Sequence, residues 1–334
     1  MHTTINDIAR LAGVSRTTVS RVLNHKTDIN ADTLKRIQTV IDTHDYRPSS
    51  LAKAVKLNCS SAVGVVIPYC TDDILSNLYY LEILRGISFE ARNRGYYMLL
   101  IYSRQSEDFF TAYKEKRVDG LIIVSPNKDD RAVFMMLDEQ KIPYAATAKT
   151  PEPGSHPFVD VDNEQGIQMA VEHLAGLGHQ KIAFINVSSF LMSYEDRLSG
   201  YKKALLAHGL NCRSDFIADG DSSIQGGFAA AEKLVGLEDR PTAFVCGNDM
   251  MAIGVIRFLK SKQFRIPEDF AVIGYDDIPL AQELDPPLTT IRQPTFAKGV
   301  HACRMLIDAI ADHGCGSEVI LPVELVIRGT TAAL

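Results

Sequence analysis

"TINDIARLAGVSRTTVSRVLN", residues 4–24, decides how the front of this 334-residue chain folds. Thr4 followed by Asp7 is a capping-box variant that opens a helix. Ile5, Ile8, Ala9 and Ala12 then recur at helical spacing. Gly13-Val14 ends that helix, because glycine takes a positive φ readily and valine plugs the turn. Ser15 caps a second helix, with Val19, Val22 and Leu23 on one face and Arg16, Thr17, Ser20, Arg21 and Asn24 on the other. A third helix is expected from near Asn30, burying Leu34, Ile37 and Ile41. Helix, tight glycine turn, helix is the helix-turn-helix unit.

The outward face of the second helix carries two arginines and short hydroxyl residues, with no carboxylate to repel phosphates. Arginine can bond guanine through two donors in the major groove, and Ser or Thr can reach bases or phosphates. The bland alternative is an ordinary solvated face on a small helical domain. Charge placement favours DNA. Residues 1–60 hold nine Lys/Arg against five Asp/Glu, a net of +4, whereas the rest of the chain carries −10. A basic module on an acidic body implies that only the module meets a polyanion.

The whole chain is 46% hydrophobic and 23% charged, which suits a globular protein of two or three domains. No apolar run approaches the roughly 20 residues of a membrane span. The start "MHTTINDIAR" lacks the order of a secretory signal. Six scattered cysteines with no CxxC pair argue for a reducing cytoplasm, against a disulfide framework and against a zinc site. The sequons at Asn58 and Asn186 are read as chance.

Beyond residue 61 the pattern changes. Strand-like runs "AVGVVIP", "YYMLLIY", "GLIIVS", "PYAAT", "KIAFIN", "AFVCGN" and "FAVIGYDD" alternate with amphipathic helices. One helix is expected over 76–94, with Leu81, Leu84, Ile87 and Ala91 at turn spacing. Such a rhythm means parallel sheets covered by helices. It restarts near residue 163, which implies two similar α/β halves. Ligands of open α/β sheets bind beyond the carboxyl ends of the strands. The polar residues expected there are Tyr79, Tyr80, Ser125, Asn127, Asp162, Asn163, Arg197, Asn248, Asp249, Asp276, Asp277 and Gln293. Carboxylate, amide and guanidinium together suit a polyhydroxyl ligand. Some could instead cap helices, Asn163 and Asp249 above all.

Residues 4–24 followed by "YRPSSLAKAV" resemble the N-terminus of the lactose-repressor/galactose-repressor family of bacterial transcription regulators. The likeness continues in order through "VDGLIIVSP", "VDNEQG", "GHQKIAFI", "DRLSGYKKAL", "GNDMMAIGV", "VIGYDD", "PPLTTIRQP" and "ELVIRGTT". The resemblance implies a helix-turn-helix domain over 1–47, a hinge over 48–60 and an effector-binding, dimerising body over 61–334. The body would be a two-subdomain parallel α/β fold like the periplasmic sugar-binding proteins. Its first half would take 61–161 plus 291–321, its second 162–290 plus 322–334, with crossovers near 161, 290 and 321. The helix near 296–312, with Phe296, Val300, Cys303, Leu306 and Ile310 on one face, would return to the first half.

By the same resemblance, Thr4, Ser15, Arg16, Thr17, Thr18, Ser20, Arg21 and Asn24 would meet operator DNA. The hinge would add Ser49, Leu51, Ala52 and Val55. Pro48 can open a helix, and two turns are marginal alone. In the family the hinge folds when two copies meet on DNA and insert a minor-groove wedge, usually leucine. Val55 stands at that position here. Tyr79, Tyr80, Ser125, Asp162, Arg197, Asn248, Asp276 and Gln293 would line the effector pocket. Many relatives place an aromatic residue after "GD" to stack on a sugar; Ser222 stands there here, and Tyr79, Tyr80, Phe190 or Tyr194 could substitute.

The expectation is a cytoplasmic, homodimeric repressor of a carbohydrate uptake or utilisation operon. Its effector would be a sugar or sugar phosphate, with no cofactor, metal or membrane partner. Three rivals are weaker. No GxGxxG, P-loop, HExxH or GxSxG supports an enzyme. A free sugar-binding protein would need a signal peptide and no residues 1–58. A phosphoprotein co-effector fits poorly with Arg197 and Asp276 in a cleft. The ending "IRGTTAAL" carries no leucine heptads, so nothing points to a tetramer by that route.

Overall fold

The Asp7 N–H donates to the Thr4 side chain while the Asp7 carboxylate accepts from the Thr4 N–H, and α1 (Ile5–Leu11) starts from this reciprocal cap. Gly13 turns the chain with φ of +63°, a conformation open to glycine at little cost. Ser15 Oγ then accepts the Thr18 N–H at 3.1 Å, and α2 (Arg16–Leu23) follows. Asn30 caps α3 (Ala31–Thr43) by accepting from the Asp32 N–H. Ile8, Ala9, Ala12, Val19, Val22, Ile37 and Ile41 form one small core. Leu34, expected inside, is 43% exposed. It stands in the first turn of α3, and the core of three short helices ends before reaching it.

This computed structural model describes residues 3–23, 29–46, 59–67, 77–101, 106–151, 156–187, 191–312 and 318–333. The chain forms two compact units, residues 1–60 and 61–334.

In the larger unit, strand and helix alternate as the apolar runs predict. β1 (Ala62–Val66), α4 (Leu78–Asn93), β2 (Tyr97–Ile101), α5 (Ser106–Lys114), β3 (Leu121–Ile123), α6 (Arg131–Glu139), β4 (Tyr144–Ala146) and β5 (Phe158–Val161) come first. α7 (Asn163–Gly176), β6 (Ile182–Asn186), α8 (Met192–Ala207), β7 (Ile217–Asp219), α9 (Ile224–Val235), β8 (Ala243–Cys246), α10 (Asp249–Ser261), β9 (Ala271–Asp276) and β10 (Thr289–Arg292) repeat the pattern. α11 (Thr295–Ile310), β11 (Glu318–Leu321) and β12 (Glu324–Val326) complete it.

The strands form two six-stranded sheets. The first runs β11-β5-β4-β3-β1-β2 and is parallel throughout. The second runs β12-β10-β9-β8-β6-β7 and is parallel except for β12. Each therefore carries the same order of its first five strands, the two similar halves that the restarted rhythm implies. Strand order reverses beside β1 in one sheet and β6 in the other, which places a switch point at the carboxyl end of each. The second crossover falls after Arg292, since Ile291 and Arg292 still pair with β9 and β12.

Helix faces differ in detail from the periodicity reading. α4 buries Ile83, Gly86, Ile87, Glu90 and Ala91, while Leu81 is exposed. α11 buries Lys298, Gly299, Ala302, Cys303 and Leu306; Phe296 is only partly covered and packs on Phe89 at 5.6 Å between ring centroids. The cause is the close crossing of α4 and α11. A Cβ on Gly86 would lie 2.1 Å from the Phe296 carbonyl oxygen, and one on Gly299 would lie 2.2 Å from that of Ile83. The backbones meet at the glycines, so the bulky residues flank the contact instead of filling it.

Candidate functional site

On α2, Arg16, Thr17 and Arg21 are exposed, opposite the buried Val19 and Val22. Thr18 and Ser20 are half-buried. Ser15 Oγ sits 2.9 Å from Thr18 Oγ1, so part of its hydrogen-bonding capacity serves the cap. Thr4 is likewise engaged in its capping box. Asn24, Ser49, Leu51, Ala52 and Val55 lie outside the described residues. The helix thus offers two guanidinium groups and a hydroxyl on one open face, with no acidic residue in its first turn.

The second site lies between the halves of the larger unit. Arg197, on α8, is only 4% exposed. Its Nε donates to Asn163 Oδ1 at 2.9 Å, and Nη1 donates to the Gly247 carbonyl oxygen. Its guanidinium lies 3.8 Å from the Tyr275 ring centroid and 5.1 Å from that of Tyr194. Aromatic faces attract a cation once water is excluded. The arginine is therefore clamped on two sides and at two donors.

Asp276 ends β9 with φ of +117° and accepts from Gln293 Nε2 at 2.5 Å. Burial pushes its carboxyl well up from the carboxylate range, against the smaller opposing pulls of Arg197, Gln293 and Lys298. Burial, and then the Asp276 charge, push the Asp249 carboxyl upward as well. Asp249 accepts the Thr290 hydroxyl at 2.6 Å and the Ile278 N–H at 2.8 Å, so it ties α10 to β10 and to the turn after β9.

Asn248 splits its amide. Its oxygen caps α10 by accepting the Met251 N–H, and its Nδ2 donates to the Tyr194 hydroxyl and the Ser222 carbonyl, each at 3.3 Å. The Tyr194 hydroxyl lies 2.9 Å from Ser222 Oγ. From the first half, Tyr80 has Ser125 among its polar neighbours, and burial pushes its phenol upward. Its electrostatic neighbours include Tyr194 and Asp276 of the second half. The Tyr79 hydroxyl accepts from Lys298 Nζ at 3.3 Å.

Seven of the eight predicted effector residues, Tyr79, Tyr80, Ser125, Arg197, Asn248, Asp276 and Gln293, join this network. Asp162 does not. Its carboxylate accepts the Gln165 N–H, caps α7 and stays exposed. Helix caps fall one residue before the two that the spacing suggested, at Asp162 and Asn248 instead of Asn163 and Asp249. Asn163 is freed to bond Arg197. Sequence reasoning missed Asp160, Tyr275 and Lys298. A lysine at a core position of an amphipathic helix was the one available signal, since unpaired lysines are almost never fully buried.

Several buried polar atoms lack partners among the described residues: Asn127 Nδ2, Asn186 Oδ1, Tyr275 OH and Gln293 Oε1. Unsatisfied groups of this kind are costly and call for a bound partner or water. Lys128–Glu195 and Lys149–Asp196 ion pairs span the two halves at the cleft, as does a backbone bridge between Asn127 and Leu191. Among the described residues, no helix is long and apolar enough to cross a membrane.

Residues 4–49 match the model of the bacterial regulatory proteins of the lacI family, and 171–331 match the periplasmic binding protein-like domain. The HTH-type transcriptional repressor PurR of Vibrio atlanticus (strain LGP32) is 33% identical over 337 residues, covering 99% of each chain. The lac repressor dimer bound to operator and an anti-inducer superposes with a TM-score of 0.87 at 28% identity, over 100% of both chains. The transcriptional regulator CelR, in complex with cellobiose, gives 0.77 at 29% identity, covering 98% of this chain and 100% of its own. An open basic helix, a doubly wound two-sheet body and relatives matched along nearly their whole length lead to one conclusion. The chain belongs to the lacI family of bacterial regulatory proteins.

Proposed function

We propose that the cleft around Arg197 and Asp276 binds a small polyhydroxyl effector, and that its occupancy controls operator binding by α2 and the hinge. The protein is a ligand-responsive, DNA-binding transcriptional repressor. The carrying observation is the set of buried, unpartnered donors and acceptors beside a clamped arginine and a buried carboxylate. A sugar bonds through adjacent hydroxyls that both donate and accept, which is what such a mixed set requires. Cellobiose in CelR supports a carbohydrate over other small ligands. The stacking faces of Tyr79, Tyr80 and Tyr194 are the aromatic surfaces a sugar ring or a planar base would use.

Under this reading Arg16, Thr17 and Arg21 read bases, Ser15, Thr18 and Ser20 position the helix, and Val55 is the hinge wedge. The working division is 1–47, 48–60 and 61–334, in a cytoplasmic homodimer without catalytic activity. Exposed Tyr97 and Leu99 on the edge strand β2, with Leu81 and Phe89 on α4, supply apolar surface for that dimer. Effector contacts shift the closed and open arrangements only by their differential affinity for the two.

The test has two arms. Selection of bound sequences from random duplex DNA should return a near-palindromic site. A thermal-shift screen against sugars and sugar phosphates should raise the melting temperature, since a ligand bound to the native state stabilises it. A panel without a single stabilising compound, with operator binding intact, would overturn the carbohydrate assignment.

A further inference from the structure

Lys298 and Asp160 form an ion pair of 2.9 Å, and each side chain is only 3% exposed. Lys298 lies on α11, on the face packed into the first half, and Asp160 lies in β5, just before the chain crosses to the second half. Taking two charges out of water is expensive, and a buried ion pair is often no more stabilising than an apolar pair of like volume. The fold itself gives no reason for the pair.

Its connections do. Lys298 Nζ also donates to the Tyr79 hydroxyl at 3.3 Å. Asp160 accepts from Asn163 Nδ2 at 3.3 Å, from the Val161 N–H at 2.8 Å and from the Lys149 N–H at 3.0 Å. Asn163 Oδ1 in turn accepts from Arg197 Nε at 2.9 Å. An unbroken chain, Tyr79–Lys298–Asp160–Asn163–Arg197, thus crosses between the halves. Its two ends are candidate ligand contacts on opposite sides of the cleft. Because the lysine has only donors and the carboxylate only acceptors, the direction of every bond in the chain is set. Asn163 must turn its amide nitrogen to Asp160 and its oxygen to Arg197.

We infer that Lys298 and Asp160 are positioning residues of the effector cleft, which orient Arg197 through Asn163 and couple it to Tyr79 on α4. This rests on the cleft being the effector site. Ligand pull on Arg197 is then transmitted through the crossover to α4 and α11, the helix pair of the first half.

The test follows the Arg197 Nε–H in the full-length protein by nitrogen-edited NMR, which reports its bond to Asn163 with or without ligand. Asp160→Val with Lys298→Met removes both charges at similar volume. The Val161 and Lys149 N–H groups and Asn163 Nδ2 lose their acceptor, so the expected result is a lower melting temperature together with about tenfold faster exchange of the Arg197 Nε–H with water. Tyr79→Phe, which removes one hydroxyl and leaves the fold intact, should accelerate that exchange by about threefold although Tyr79 does not touch Arg197. Unchanged exchange in Tyr79→Phe and in the double variant overturns the coupling; if the double variant fails to fold, Tyr79→Phe alone decides. A thermal-shift panel of pentoses, hexoses and their phosphates runs beside it on the unmodified protein. Accelerated exchange with no ligand response would defeat the effector reading alone, and a ligand response with unchanged exchange would defeat the positioning role alone.

Discussion

Arg197→Lys is the substitution that separates charge from geometry in the cleft. Lysine keeps the positive charge beside Asp276 but not the planar fork. The wild-type guanidinium donates to Asn163 Oδ1 and to the Gly247 carbonyl, and it stacks on Tyr275 at 3.8 Å. A single ammonium cannot reach both acceptors and cover the ring. One buried acceptor is then left unpaired, at about 1–3 kcal/mol. Lost cation–π contact with a shielded ring adds roughly 1–2 kcal/mol. Water entering from the cleft returns part of this, so a net loss of about 2–3 kcal/mol is expected in the body. For a unit of this size that lowers the melting temperature by roughly 4–12 °C. The resemblance implies only that Arg197 lines the effector pocket. Its 4% exposure and its two protein partners give it a structural part as well. The assay is urea denaturation of the ligand-free protein, with operator binding measured on the same samples. Stability within about 0.5 kcal/mol of wild type, the ordinary scatter of surface substitutions, would refute the clamp and return Arg197 to a purely ligand-facing role.

Arg21→Ala should cost about 1–3 kcal/mol on the selected operator and much less on scrambled DNA; an equal loss on both in a binding titration would make Arg21 a phosphate contact. Asp276 carries a pH signature. Burial raises its folded carboxyl to about 6 from 3.8, so the folded state holds this proton more tightly than the unfolded one. Its contribution is most favourable below about 4 and declines as pH rises to about 6, on the order of 2–3 kcal/mol. Denaturation between pH 4.5 and 7.5 should therefore show wild type losing stability relative to Asp276→Asn; a constant difference would contradict a buried, protonatable Asp276. Val55→Leu, at the proposed wedge position, should tighten operator binding because a larger wedge fills an opened base step better, and Val55→Lys should weaken it sharply. Unchanged affinity in both variants, read by fluorescence anisotropy, would leave the hinge as a linker.

Local chemistry determined much of this protein from the sequence. The Thr4–Asp7 cap, the Gly13 turn and the Val19/Val22 face are set by neighbours within a few residues, so this stretch declares the helix-turn-helix unaided. The seven strand runs and the restart near residue 163 declare two similar α/β halves with parallel sheets, because apolar periodicity and strand length are local too. Residues at strand ends were candidates on the same ground. What each one bonds was not legible. Asp162 and Asn163 are adjacent, and only the start of α7 decides that the first caps a helix while the second faces Arg197. Leu81 and Phe296 read as core, yet the Gly86–Gly299 crossing pushes both aside. Lys298 and Asp160 are 138 residues apart, so only the return of α11 to the first half joins them. A hydrogen bond needs a partner at a specified distance and angle, and chain crossovers that no short window of sequence contains supply those partners here.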